Sequence, residues 1–491
     1  MPFRKRVVVT LRGMVKSGDV DMNFGLNILS PRRLLPLLVS ACLSAGATAP
    51  GRAAAATVNP HAVLVNSFAG WGTSLCWWAH VVGGYSNREE FAQMAFVKLG
   101  LNIVRYNIGG GENPALPDSM QPRARVPGFE PSPGKWDWSA DANQRWMLRR
   151  AMELGANRVE AFANSPPWWM TASGSVTGST NGTANNLLPQ YEDAFAEYLV
   201  NTVSHLTALD HVYFDYLSPV NEPTSGWWKY GGHQEGCHIG PAQQARLVRL
   251  IHKYLVAAGM TNGIIASEDN SERETCNSLH AYPAADLNLV SLVATHSYNA
   301  NAPDELRLLA RNRYKPLWVS EYGDADASGL TMARRIQSDL TVMRAQAWVY
   351  WQVVDGTGGW TMIKNRENGD ARHEPGEKFY VMWQFSHFIR PGCQLIGVNE
   401  SHSLAAYDAA GQKLTVVAVN ADRNPLAVAY DLAAFARTGT AVKVTRTAEA
   451  EPGVSLPDIA LEGKRFTASL PAKSVTTFVI SNTSVSAAGQ D

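Results

Sequence analysis

The chain has 491 residues, of which 45% are hydrophobic, so it can bury a large core in more than one domain and is not an intrinsically disordered protein. Lysine plus arginine and aspartate plus glutamate both number 43, and this balance produces no net field that would attract nucleic acid or an anionic membrane. A neutral partner is therefore expected.

Residues 1–56 have the features of an export signal. Arg32 and Arg33 precede an apolar run over residues 34–49, and the small residues 53–56 provide an A-x-A-like cleavage site. This run is shorter than the ~20 residues of a transmembrane helix, and no later stretch is long and apolar enough, so we expect no membrane span. The mature protein is expected outside the cell. Twin-arginine export, a periplasmic location and lipoprotein anchoring near Cys42 stay open alternatives.

Four cysteines follow this segment, namely Cys76, Cys237, Cys276 and Cys393. An exported protein can form disulfides, and four cysteines allow three complete pairings, among which sequence does not decide. We predict a pair between Cys237 and Cys276, because both lie in loop-like sequence after candidate strands. No C-x-x-C motif or histidine cluster indicates a metal site.

Short β-rich runs alternate with amphipathic helical stretches between residues 67 and 388, which is typical of a parallel α/β fold. Helices are predicted over residues 141–154 and 243–258, each followed by a glycine that ends it. Eight strands are predicted, over residues 67–75, 103–108, 158–163, 216–222, 264–269, 293–298, 317–322 and 347–352. Eight such units predict a (β/α)₈ TIM barrel.

A second domain is predicted after the barrel. Short strands separated by turns are predicted over residues 404–407, 413–420, 427–432, 441–446 and 476–480. Residues 389–482 should therefore form a small β-sandwich, and residues 57–66 are expected to add a strand to it. The tail over residues 483–491 is predicted to be disordered.

Two of the predicted barrel strands end in glutamate, at the edge of a barrel where reactive groups lie. Glu222 ends the fourth strand in the sequence Ser-Pro-Val-Asn-Glu-Pro, and Glu321 lies on the seventh in Val-Ser-Glu-Tyr-Gly. Strands four and seven face each other across a barrel of eight, so both carboxylates can point into one cleft. Cleavage of a glycosidic bond needs such a pair, one protonated and one ionised.

These two motifs resemble glycoside hydrolase family 30, and the resemblance covers roughly residues 57–482. It implies that Glu222 is the acid/base and Glu321 the nucleophile of a retaining enzyme. Asn221 is similar to the asparagine that binds the substrate 2-hydroxyl, and Arg105 ends the second strand, where it could keep Glu321 ionised.

Further residues resemble the sugar-binding positions of this family. Trp351 matches the tryptophan under the reacting sugar, and Trp168 matches a substrate-contacting tryptophan in a segment that also contains Asn164. Tyr298 is placed to hydrogen-bond the nucleophile, while His296 either lines the site or is a core histidine. We include Trp77 among the candidate substrate-binding residues. Aromatic rings of this kind can stack on the C–H faces of sugars.

The segment over residues 70–79, which includes Trp77, is most similar to the endo-β-1,6-galactanase branch of the family, as are residues 107–113. The expected partner is a polysaccharide, the β-1,6-galactan side chains of arabinogalactan, and no cofactor is expected for a reaction between two carboxylates. β-1,6-Glucanase, glucosylceramidase and xylanase activities are the alternatives within the family. An inactive carbohydrate-binding protein is the alternative from another class. A monomer is expected.

Overall fold

Eight buried runs along the chain form a closed barrel of parallel strands, as the alternation of elements predicted. This computed structural model describes residues 53–117, 119–299, 301–366 and 372–486. In Ile103–Ile108 all six residues are buried, which is typical of parallel strands covered on both faces. Numbered along the chain, with β1 (Ala54–Val65) ahead of the barrel, the barrel strands are β2 (Gly70–Ser74), β3 (Ile103–Ile108), β4 (Arg158–Ala163), β5 (Tyr216–Ser218), β6 (Gly263–Ser271), β7 (Val290–Asn299), β8 (Leu317–Tyr322) and β9 (Ala347–Tyr350). Pairing of β9 with β2 closes the barrel.

The observed strand ends differ from the prediction where polar residues cluster. β5 ends at Ser218, four residues before Glu222, and the chain then turns so that Glu222 has a φ of 44°. β6 continues to Ser271, two residues further than predicted, although Asp269 and Asn270 within it are polar. Both side chains are hydrogen-bonded to the residues around Glu222, which allows them to be buried in a strand.

Helices surround the barrel and follow its strands. The predicted helix over residues 141–154 is present as Ala142–Glu153, and Gly155 ends it with a φ of 109°. The helices are α1 (Trp78–Val82), α2 (Arg88–Ala92, continued by a π-helical segment Gln93–Lys98), α3 (Ala142–Glu153), α4 (Glu192–Asp210), α5 (Pro241–Ala257), α6 (Glu272–Ala281), α7 (Ala284–Leu289), α8 (Pro303–Asn312), α9 (Leu330–Ser338, continued by a π-helical segment Asp339–Met343) and α10 (Glu377–Ser386). Within the described ranges, no helix is both long and apolar enough to cross a membrane.

A β-sandwich follows the barrel and confirms the predicted side domain. The later strands are β10 (Val354–Asp355), β11 (Ile363–Asn365) and β12 (His373–Pro375), which form a small sheet, and β13 (Gln394–Val398), β14 (Ser403–Asp408), β15 (Lys413–Asn420), β16 (Leu426–Asp431), β17 (Ala441–Ala448), β18 (Glu451–Ala460), β19 (Arg465–Leu470) and β20 (Ser474–Ile480). The strand order of the large sheet is β18-β17-β20-β15-β14-β13-β1-β16-β19. Tyr430 of β16 and Phe466 of β19 pack on Phe478 of β20, with ring centroids 5.6 and 5.4 Å apart, so the two flanks lie face to face.

The first strand, β1, does join the sandwich, as predicted. Its residues 54–57 pair in parallel with β16, and later residues pair with β13 across two shifts of register. The strand therefore begins at Ala54, inside the predicted export segment, whose residues 1–52 lie outside the described residues. Of the predicted disordered tail, residues 487–491 also lie outside them, while Thr483 is fully buried.

The predicted disulfide between Cys237 and Cys276 is wrong, because both cysteines are free in the structure, as are Cys76 and Cys393. Cys237 follows β5 in the loop at the barrel mouth, whereas Cys276 lies within α6. A disulfide needs Cα atoms within about 7 Å, and spacing along the chain does not determine that distance. All four thiols are instead buried in apolar surroundings.

Candidate active site

The two predicted catalytic glutamates lie at the carboxyl ends of opposite barrel strands. Glu222 follows β5, the fourth barrel strand, and Glu321 lies on β8, the seventh. Nδ1 of His296 is 3.0 Å from Oε1 of Glu222 and 3.4 Å from Oε1 of Glu321. An oxygen of each carboxylate and a ring nitrogen of His296 all lie within 4.8 Å of one another. The barrel thus brings two carboxyl groups together, only 5% and 3% exposed.

Arg105, on β3, is fully buried beneath this pair and holds one side of Glu321. Its Nη1 donates to Oε2 of Glu321 at 2.8 Å, and its Nη2 donates to Oδ1 of Asn221 at 3.2 Å. Burial raises the pKa of Glu321, and the cations of His296 and Arg105 oppose that rise. Arg105 therefore favours the ionised form of Glu321 and also fixes Asn221.

Two further buried glutamates complete the surroundings of Arg105. Its Nε donates to Oε1 of Glu160 on β4 at 3.0 Å, and its Nη2 donates to Oε2 of Glu268 on β6 at 2.7 Å. Burial raises the pKa of Glu160 well above its ordinary value, and the charge of Glu268 adds to the rise. One guanidinium group is therefore shared among three carboxyl groups from three strands.

Glu222 is held in its unusual backbone conformation by hydrogen bonds on both sides. Its N–H donates to the carbonyl of Glu268 at 2.9 Å, and its own carbonyl accepts from Nε1 of Trp228 at 2.9 Å. Nδ2 of Asn270 donates to Oε1 of its side chain at 2.7 Å. A positive φ is costly for a residue with a side chain and persists only where the surroundings determine it, as they do here.

Two side chains of β7, the strand across the barrel from Arg105, contact the carboxylates. The hydroxyl of Tyr298 donates to Oε1 of Glu321 at 2.8 Å. Burial raises the pKa of Tyr298 well above its ordinary value, and the charge of Glu321 adds to this, so the hydroxyl remains a donor. Burial lowers the pKa of His296, but the charges of Glu321 and Glu222 outweigh it, and the net pKa is raised. His296 therefore lines the site instead of filling the apolar core.

Tryptophans line the cleft next to Glu321. The indole rings of Trp351, which follows β9, and Trp77, which follows β2, pack edge to face with centroids 5.0 Å apart. The indole nitrogen of Trp77 is buried without a hydrogen-bond partner among the described residues. Trp168 lies half-exposed in a short 3₁₀ turn after β4, and within the described part of the chain it makes no ring contact with these groups. Its neighbour Trp169 packs on Tyr191.

Asn164, another predicted site residue, belongs to a buried network of hydrogen-bonded side chains behind these rings. Its Nδ2 donates to Oδ1 of Asn107 at 3.2 Å and lies 3.5 Å from Sγ of Cys76. Oε2 of Glu235 accepts from Asn107 at 3.4 Å, and its Oε1 accepts from the N–H of Gly110 at 2.8 Å. Burial raises the pKa of Glu235 to about 8. This hydrogen-bond network fixes the orientation of Asn164 at the edge of the cleft.

Sequence reasoning missed Glu160, Glu268, Asn270 and Trp228. Asn270 and Glu268 lie in the polar run Ser-Glu-Asp-Asn at the carboxyl edge of a barrel strand, which is the position where site residues are expected. Glu160 is a lone charge between Val159 and Ala161, and a buried charge requires a partner. Both signals were present in the sequence, whereas nothing there indicates the contact of Trp228 with Glu222.

Glu222, His296 and Glu321 are the one group of three potential metal ligands in the described ranges. The carboxylates are already bound to Asn270, Tyr298 and Arg105, which fix their orientation. The expectation that the reaction needs no metal or cofactor stays a prediction.

Comparison with known proteins identifies the family. Residues 65–315 match the family described as O-Glycosyl hydrolase family 30. An endo-beta-1,6-galactanase of Hypocrea rufa is 32% identical over 445 residues, which cover 84% of this chain and 91% of that protein. The chain belongs to O-glycosyl hydrolase family 30. It is therefore an O-glycosyl hydrolase, and Glu222 and Glu321 are its candidate catalytic pair.

Other similar proteins share less sequence identity with this chain. An exo-beta-1,6-galactobiohydrolase of Bifidobacterium longum is 27% identical over 416 residues, which cover 61% of this chain but only 27% of that longer protein. The structure of a conserved exported protein from Bacteroides fragilis superposes with a TM-score of 0.76 at 23% identity, covering 87% of this chain and all of that one. The catalytic domain of the family 30 xylanase C of Talaromyces cellulolyticus gives 0.69 at 21% identity over 87% of this chain and 100% of that domain. These structures share the barrel and its β-rich side domain.

Proposed function

We propose that this protein is a retaining endo-β-1,6-galactanase that hydrolyses galactan side chains of arabinogalactan. The observation that carries the proposal is the buried pair of Glu222 and Glu321, whose oxygens approach within 4.8 Å across the barrel mouth. Carboxyl groups ~5–5.5 Å apart favour retention, whereas inverting enzymes separate them by ~6.5–9.5 Å to admit a water molecule. The short separation therefore supports a double displacement.

In the first step, Glu321 attacks the anomeric carbon while Glu222 protonates the glycosidic oxygen of the leaving sugar. Asn270 and His296 both reach Oε1 of Glu222, so Oε2 is the oxygen available to carry the acidic proton. Arg105 and Tyr298 hold the two oxygens of Glu321 and keep it aimed. In the second step Glu222, now ionised, takes a proton from water, which attacks the glycosyl–Glu321 ester and releases the sugar.

The retained sugar lies over Trp351, with its anomeric carbon facing Glu321. Asn221, fixed by Arg105, binds the 2-hydroxyl group, an interaction that strengthens in the transition state. The unpartnered indole N–H of Trp77 offers a buried donor to another hydroxyl. The galactan assignment rests on the Hypocrea relative, and the alternatives are the other activities of the family.

Product analysis tests the proposal. Purified protein covering residues 53–491 is incubated with arabinose-stripped arabinogalactan and, in parallel, with β-1,6-glucan, with Glu321→Gln as the inactive control. We expect galactose oligomers that are absent in the control, and proton NMR should show the β-anomer as the first product. Glucose oligomers alone would contradict the galactan assignment, an initial α-anomer would contradict retention, and no product from any glycan would favour the binding-protein alternative.

The proposal includes export and a monomeric state. The apolar run and small-residue site before residue 57 support export. N-terminal sequencing of protein from the culture medium should locate the cleavage before β1, because Ala54–Ala56 pair with β16. Retention of the uncleaved chain inside the cell would contradict export, and a dimer mass in light scattering would contradict the monomer.

A further inference from the structure

Two tryptophans stand out because they are exposed. The chain has 15 tryptophans, all within the described residues. Only Trp227, at 51%, and Trp360, at 40%, are among the exposed large hydrophobic side chains of the described ranges. Both lie in loops that follow carboxyl ends of barrel strands, Trp227 after Glu222 and Trp360 after β9. Water-exposed indoles at the catalytic edge are unexplained by core packing and offer apolar faces to a ligand.

The loop that carries Trp227 is held rigidly through the next residue. Trp228 is buried, and its indole is bound to the carbonyl of Glu222. A Cβ atom on Gly236 would fall 2.0 Å from the Trp228 ring, and one on Gly178 would fall 2.1 Å from its backbone, so the two glycines enclose it. Trp227 is therefore presented outward from a fixed base, which lowers the entropic cost of binding through it.

Trp360 is fixed on the other wall, beside the nucleophile. A Cβ atom on Gly323, two residues after Glu321, would fall 2.8 Å from Cζ3 of Trp360 and 3.3 Å from Cβ of Trp351. The Trp360 ring and the Cβ atom of Trp351 thus lie against the same glycine. The carbonyl of Trp360 accepts from the hydroxyl of Tyr350 at 2.7 Å, which anchors its loop.

The proposed roles of Glu222 and Glu321 indicate which side of the cleft Trp227 and Trp360 each line, the side of the leaving sugar or that of the retained sugar. Glu222 must reach the oxygen of the leaving sugar, so the loop after it lines the leaving-group side of the cleft. Trp360 adjoins Trp351 and Glu321 and lines the side of the retained sugar. We infer that Trp227 stacks on a leaving-side sugar and Trp360 on a retained-side sugar, so that a chain binds across both walls and is cut internally. This inference rests on the proposed galactanase function.

The test is the cleavage position in β-1,6-galacto-oligosaccharides of graded length, labelled at the reducing end. Trp227→Ala should move the preferred cut toward the reducing end, because fewer leaving-side sugars are held. Trp360→Ala should move it toward the non-reducing end. Each change should lower kcat/KM for the longest oligomer on the order of tenfold, the loss expected for one stacked ring.

Matched variants separate stacking from other effects. The Trp→Phe variants at both positions should retain the wild-type cleavage pattern. Tyr314→Ala should change nothing, because Tyr314, 95% exposed, lies before β8 at the opposite end of the barrel. Unchanged cleavage positions in both alanine variants, or shifts in the same direction, would overturn this inference while leaving the galactanase function intact. Inactivity of the wild type on every galactan oligomer would overturn the proposed function and this inference with it.

Discussion

At the level of single residues, the backbone of Glu222 shows how the site stores strain. Its φ of 44° lies in a region that residues with a Cβ atom seldom adopt, and Glu268, which accepts its N–H, has a φ of 61°. Two such residues bonded to each other at a barrel mouth are a feature of functional sites. The strained turn directs the side chain of Glu222, the proposed acid, into the cleft instead of along the strand.

Removing the positive charge of His296 should change the pH dependence of the reaction. That charge lowers the pKa of Glu321 against the effect of burial, so His296→Gln should raise the pKa of Glu321 further. Glu321, as the proposed nucleophile, must be ionised, and the acidic limb of kcat/KM should therefore move to higher pH. The measurement is a pH–rate profile, with His280→Gln on the exposed side of α6 as the control. An acidic limb that stays in place would show that His296 does not act on Glu321.

The sequence pointed to Glu222 and Glu321 as candidate catalytic residues because each closes an apolar strand with a short polar motif. It could not predict that Glu160 and Glu268 share Arg105 with Glu321, since three strands must close into a barrel before those side chains meet. Contacts of this kind depend on strand register, which one-dimensional spacing does not contain.

At the level of elements, Arg105 joins β3 to three other barrel strands through buried ion pairs. Arg105→Met should lower the free energy of unfolding by about 3–5 kcal/mol, because it leaves buried carboxylates without a counter-charge. Urea denaturation measures the loss. Arg158→Met, which removes a half-exposed pair with Asp215 at the amino end of β4, should cost no more than about 1 kcal/mol. Equal losses in the two variants would contradict a special role for the buried cluster.

Some strands were predicted to the residue and others were missed, for a physical reason. β3, β4 and β8 are central barrel strands whose apolar runs are unmistakable. Of the large sheet, β13, β18 and β19 were missed; β18 and β19 are its two edges, whereas β13 lies inside it. β18 contains Pro452, Gly453 and Pro457, which read as turns in a sequence but are tolerated where one side of a strand is unpaired.

At the level of the whole molecule, one cluster of buried hydrophobic residues spans the barrel and one face of the sandwich, while the other face of the sandwich packs in a second cluster of its own. The main cluster of buried hydrophobic residues includes Leu395, Leu404 and Val417 of the sandwich together with the barrel residues. Between the domains, Gln384 of α10 donates to Thr447 at 2.9 Å and accepts from Thr477 at 2.6 Å. The sandwich thus stabilises the barrel by covering part of its hydrophobic surface.

The cluster that spans the two domains predicts a single unfolding transition for the whole protein. Calorimetry of residues 53–491 should show one cooperative peak, because neither domain can expose the common surface alone. A chain of residues 67–390 should be insoluble or should bind a hydrophobic dye, since it exposes the apolar surface that Leu395 and its neighbours cover. Two separate peaks, or a soluble and cooperatively folded barrel, would contradict this expectation.

The position of β1 inside the large sheet, between β13 and β16, also affects the order in which the protein can fold. Thr57 donates to Asn399, 342 positions further along the chain, and the strands on either side of β1 both come after the barrel. During synthesis the first strand leaves the ribosome long before its partners exist, so the sheet can be completed only when the last fifth of the polypeptide has been made. Contacts of such high contact order form slowly, and an incomplete chain must meanwhile keep an unpaired strand from associating with others. β1, which joins β13 to β16 in the finished sheet, is thus the strand that must wait longest for its partners.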